Sequence, residues 1–61
     1  MRLNELLIFC EEKIKKFPNL EQDIMDVYQL ASDEIEEGAS EYNECEIAES
    51  EILDIIKDEE T

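Results

Sequence analysis

The chain has 61 residues, 19 of them acidic and 5 basic, with no histidine and a net charge of −14. A chain this short hides only about 60% of the surface its unfolded form exposes, which leaves room for one domain (1–61) with one thin core and no separate substrate cleft. Its apolar content of 43% is that of ordinary globular proteins and argues against outright disorder.

No apolar run approaches the roughly 20 residues that span a bilayer. Glu5 follows Met1 too closely for a secretory signal. The expectation is therefore a soluble, cytoplasmic protein with no membrane contact. Charge is unevenly spread along the chain. Residues 1–32 carry six acids and four bases, net −2, whereas residues 33–61 carry thirteen acids and Lys57 alone, net −12. Such a field repels nucleic acid and anionic lipid and attracts basic protein faces.

Pro18 and Gly38 are the only proline and glycine, and they divide the chain into three segments. In the first, Leu3, Leu7, Cys10, Ile14 and Phe17 recur at steps of four and three, with Leu6 widening the stripe. That period predicts an amphipathic helix near 3–16. Asn4 or the chain start serves as its cap. Lys13, Lys15 and Lys16 fall in the last turn, where cations suit the helix dipole, and Pro18 ends the element.

The second segment predicts a helix near 20–37 capped by Asn19, with Glu21 and Asp23 in the first turn. Leu20, Ile24, Val27, Ala31 and Ile35 form its stripe, with Tyr28 and Leu30 at the margins, and Gly38 closes it in the left-handed conformation. The third predicts a helix near 41–58 capped by Ser40. Tyr42, Cys45, Ala48 or Glu49, Ile52 and Ile55 or Ile56 form its stripe, Ile47 and Leu53 broaden it, and Asp58 to Thr61 fray. Three amphipathic helices with short joins predict an all-α, up-down-up three-helix bundle.

Chemistry is scarce. With no histidine, no glycine-rich phosphate loop and no nucleophile motif, nothing supplies the paired environments that catalysis needs, and the expectation is a non-enzyme without a cofactor. Cys10 and Cys45 are too few for a disulfide framework or a zinc site and read as small core side chains. Pairing them would require the first and third helices side by side at matching height. Asp33, Glu37, Gly38, Glu41 and Glu44 coincide with positions one, five, six, nine and twelve of a calcium-binding helix–loop–helix. Ile35 at position three cannot ligate, and Ser40 stands where the loop wants a branched apolar residue, so no metal site is expected.

The acids of the third segment carry more information. Glu44, Glu51 and Asp58 repeat every seven residues, Glu37 and Glu41 extend their line across the turn, and Asp54 lies beside it, with Glu46 and Glu49 also reading as flanking it. Acids three or four residues apart on a helix stand about 5–6 Å apart at Cβ, close to the separation of phosphates along a nucleic-acid strand. Glu37, Glu41, Glu44, Glu51, Asp54 and Asp58 are thus candidate phosphate surrogates that contact a basic protein surface, such as that of a nucleic-acid-binding protein. In size, charge and helical pattern the chain resembles the small acidic inhibitors of bacteriophages and mobile elements, among them DNA mimics, antitoxins and immunity proteins. The resemblance is one of whole-chain composition and implies an inhibitory protein–protein interaction. The alternative is a structural module in which Ile8, Phe9, Ile47 and Leu53 form an apolar interface with another copy.

Overall fold

A computed structural model describes residues 1–60, and Thr61 lies outside the described residues. Helix α1 spans Leu3–Lys16, a single 3-10 turn spans Pro18–Leu20, α2 spans Glu21–Glu36 and α3 spans Glu41–Glu60. Together they form an all-α three-helix bundle about 35 Å long and 17 Å across. α2 and α3 share the most extensive interface.

Two hydrogen bonds far apart in sequence show how α1 and α3 lie. The Leu3 amide at the start of α1 donates to Glu41 Oε2 at the start of α3 (2.8 Å). Asn19 Nδ2, just beyond the end of α1, donates to Glu59 Oε1 near the end of α3 (2.7 Å). Like ends therefore meet like ends: α1 and α3 run parallel, with α2 returning between them.

The core takes one narrow stripe from each helix. Leu6 and Cys10 come from α1, Leu20, Ile24 and Ala31 from the second segment, and Cys45, Ala48, Ile52 and Ile56 from α3. Leu3, Phe9, Ile14, Phe17, Val27, Tyr28, Ile35 and Ile55 pack around it, half-buried. The α1 stripe centres on Leu6 and Cys10 rather than on the Leu3–Leu7 line, so Leu6 is a central core residue instead of a margin. Tyr42, which its spacing places on the α3 stripe, is exposed, as are Ile47 and Leu53, which broaden that stripe in the sequence. The helix meets the core through the small side chains of Cys45 and Ala48 and through the two isoleucines, a narrower seam than the periodicity suggested.

The helix ends follow local chemistry. Arg2 is the N-cap of α1, and its amide donates to the Glu5 carboxylate (2.8 Å). With Glu41 on the Leu3 amide, two of the amides left without helical acceptors at this end are satisfied by carboxylates, which the helix dipole also favours there. Asn4 plays no part in these bonds. Asn19 does not cap α2: Pro18 opens the 3-10 turn, Leu20 enters the core, and Asn19 turns to Glu59. That bond and the burial of Ile56 hold the last turns of α3, so the helix continues to Glu60 where fraying was expected.

Gly38 closes the turn between α2 and α3. Gly38 has φ +111°, and its amide bonds the Ile35 carbonyl while the Ala39 amide bonds that of Glu34 (both 3.0 Å). That is the Schellman pattern, in which glycine alone takes the required backbone without strain. At Ser40, the carbonyl accepts the Glu44 amide (2.9 Å), and the hydroxyl makes a long contact of 3.4 Å with the Asn43 amide.

Gly38→Ala meets no neighbouring atom, so its cost isolates the backbone conformation. Chemical denaturation should show a loss of about 1–2 kcal/mol, and an unchanged midpoint would contradict the Schellman assignment. Cys10 and Cys45 are free and fully buried thiols. Burial, assisted by Glu11, pushes the Cys10 thiol from 9.0 up to about 11, and burial also raises that of Cys45. Because the folded chain holds these protons more tightly than the unfolded one, their stabilising effect is complete below about pH 9 and is lost toward pH 11. Disulfide-exchange reagents should label both thiols slowly in the native protein and rapidly in denaturant. The urea midpoint should fall across that pH window.

Candidate interaction surface

The bundle excludes charge from its interior completely: among the described residues no polar or charged side chain is buried. Every carboxylate therefore contributes to an external field, and the helices divide that field unequally. Residues 1–16, essentially α1 and its cap, carry Arg2, Lys13, Lys15 and Lys16 against Glu5, Glu11 and Glu12, net +1. Residues 17–60 carry sixteen acids and Lys57 alone, net −15. The charge boundary falls between α1 and the α2–α3 pair, rather than halfway along the chain.

α1 is balanced and locally self-satisfied. The Lys13 ammonium lies 5.2 Å from the centroid of the Phe9 ring, a cation–π distance. A shallow hollow on its outer side, lined by Ile8, Glu11, Glu12 and Lys15, is formed by neighbouring turns of one helix and is no interhelical cleft. On α2, Gln22 and Gln29 donate to Asp26 (2.8 Å) and Asp33 (3.0 Å), each four residues on.

The surface of α3 can be oriented from its two long-range bonds. Glu41 and Glu59 are separated by about five helical turns, so they lie on one line, and both reach toward α1 or its exit turn. That line marks the α1 side of α3. From the period of about 100° per residue, Glu44, Glu51 and Asp58 lie some 60–100° beyond it, with Glu44 half-buried and Glu51 and Asp58 exposed. Asp54 lies a little further out. These four predicted contact residues thus share one flank of α3, over about 21 Å of axis.

The other two are placed differently. Glu41 is half-buried and committed to the Leu3 amide. Glu37 is the C-cap of α2, in the turn. Ile47 also lies in the row, between Glu44 and Glu51, and is 52% exposed, so the uninterrupted acidic run is Glu51–Asp54–Asp58. Glu46 and Glu49, read from sequence as flanking this row, lie on the opposite flank of the helix, toward α2.

The four residues proposed as an apolar interface do not gather into one patch. Ile8 is exposed on the side of α1 opposite Leu6 and Cys10, and Phe9 is half-buried against the core. Ile47 and Leu53 are both exposed but about a third of a turn apart on α3. Leu30, a margin residue of α2, and Tyr42, on the stripe of α3 by its spacing, are exposed as well. Only packing separates a margin from a seam.

Among the described residues no three acidic or cysteine side chains gather closely enough to hold a metal ion. The loop resembling a calcium site is occupied by other tasks, with Gly38 closing α2, Ser40 opening α3 and Glu41 turned to α1. Among the described residues no helix is long and apolar enough to cross a membrane.

An α2–α3 pair at net −15 repels itself through water, and salt screens that repulsion over about 10 Å at 0.1 M. Thermal unfolding followed by circular dichroism should show the midpoint rising from low to moderate NaCl. A midpoint that falls would mean that attractive surface pairs outweigh the repulsion. Comparison of the chain with protein-family models, curated proteins and solved structures found no match.

Proposed function

We propose that this protein is a non-enzymatic interaction module whose acidic α2–α3 surface binds a basic protein face, acting as a DNA-mimic-type inhibitor of a nucleic-acid-binding protein. The observation that carries the reading is the segregation of charge, with sixteen acids and one base on residues 17–60 beside an α1 segment near neutrality. A small fold gains nothing in internal stability from such crowding, since like charges at helical neighbours cost about 0.2–0.5 kcal/mol per pair. What the crowding supplies is a field that speeds encounter with a cationic partner. Glu44, Glu51, Asp54 and Asp58 provide the phosphate-like row. Glu37 adds charge at its end, and Glu41 does so only in part because it is bound to α1.

A second reading is self-association through exposed apolar residues, and Ile8, Ile47 and Leu53 favour it by their exposure. Two copies at −14 each oppose it at low salt, so the readings separate by their salt response. Capture of a partner weakens with salt, whereas self-association strengthens as repulsion is screened.

The test is a pull-down with the tagged chain, eluted by a salt gradient and repeated with duplex DNA as competitor. The expected result is a stoichiometric nucleic-acid-binding protein that duplex DNA displaces and that the variant E44Q/E51Q/D54N/D58N no longer retains. Recovery of the bait alone as a salt-resistant oligomer would sink the inhibitor reading.

A further inference from the structure

The flank of α3 away from the phosphate-like row carries a different pattern. Tyr42, Glu46, Glu49 and Leu53 follow one another at steps of four, three and four, which sets them in a single stripe about 16 Å long. These are the steps of a coiled-coil seam. Tyr42 is 61% and Leu53 46% exposed, and Glu46 is exposed and Glu49 half-buried between them. The stripe lies about 80–140° round the helix from the line of Glu41 and Glu59, just past the buried Cys45 and Ile56, so it borders α2, whose sixteen residues include six acids and no base. It is an unpartnered seam with apolar ends and an acidic centre.

From this pattern and its charge we infer that the stripe is a docking seam for a basic amphipathic helix of another protein, with Tyr42 and Leu53 as anchors and Glu46 and Glu49 paired to Lys or Arg. The inference rests on the proposed basic partner and adds the form in which that partner is recognised. The complementary helix has apolar residues where it meets Tyr42 and Leu53 and basic residues at the two positions between. A second copy of this chain does not fit. Two-fold pairing through the same stripe would set Glu46 and Glu49 against Glu49 and Glu46, adding like-charge contact to a total charge already doubled from −14. A basic helix removes that repulsion, and the aromatic end group supplies the kind of rigid anchor that dominates interface energetics.

The probe is a synthetic helical peptide with Leu, Arg, Arg and Leu at the same four-three-four steps, beside a scrambled peptide of equal composition. Binding is followed by fluorescence anisotropy and mapped by amide chemical shifts. The expected result is that the patterned peptide binds about tenfold or more tightly than the scrambled one, with shifts concentrated along Tyr42–Leu53. Y42S/L53S, at two exposed positions and checked for folding by circular dichroism, should abolish the preference, while E46Q/E49Q should weaken the patterned peptide and flatten its salt dependence. Equal binding of both peptides, unaffected by Y42S/L53S but lost in E44Q/E51Q/D54N/D58N, would overturn the seam and leave the broader acidic surface standing. No binding of either peptide at low salt would overturn the seam and the basic-partner reading together.

Discussion

The feature on which the rest depends is the narrowness of the core. Among the described residues nine side chains are buried, and α3 supplies four of them, Cys45, Ala48, Ile52 and Ile56. A bundle of this size cannot desolvate a carboxylate without a partner, because the cost of burying an unpaired charge exceeds what so few apolar contacts return. Every acid is therefore forced outward, and the surface of α2 and α3 is acidic nearly all round. The small residues matter as much as the large ones. Ala31, Cys45 and Ala48 permit close approach of the helices, and replacing them by bulkier groups would prise apart the seam that keeps the charged surfaces in register.

The constraint also gives the two polar ties their weight. So thin a core holds three helices together but does little to fix their sliding along the axis. Hydrogen bonds at both ends of α1 and α3, Leu3 to Glu41 and Asn19 to Glu59, define that register. Glu41 does two tasks at once, since it sits in the first turn of its own helix and accepts an otherwise unpaired amide from another. A residue that looks from sequence like one more member of an acidic row is thus part of the architecture.

This separates what the sequence discloses from what it conceals. Helix positions were legible because their causes are local: the three-four period of the stripes, Pro18 between α1 and α2, and Gly38 where only a left-handed cap fits. The C-terminal limit of α3 was not, because Asn19 holds it across 40 residues of chain. Exposure of Tyr42 was hidden for a related reason. Helical spacing identifies a broad apolar arc, but which part of that arc meets a neighbour depends on where the other helices lie. The acidic row was legible as a line from the seven-residue repeat, whereas its border on α1, the withdrawal of Glu41 and the crossing of Glu46 and Glu49 to the other flank required the bundle.

The arrangement on α3 bears on whether the acidity is mere solubilising coat. Solubility needs charge in quantity but not in any order, and it is best served by few exposed apolar groups. α3 departs from that on both flanks. One carries Ile47 within its acid row, and the other carries Tyr42 and Leu53 enclosing Glu46 and Glu49. Single exposed apolar residues are ordinary, but an aromatic and a leucine set at the ends of one helical seam, with acids at the intervening positions, combine steering with anchorage. Long-range attraction accelerates encounter and falls away with salt, while desolvated apolar contact prolongs the complex. A surface that offered only the first would bind many cations loosely. One that adds the second can distinguish a patterned basic helix from a merely positive one.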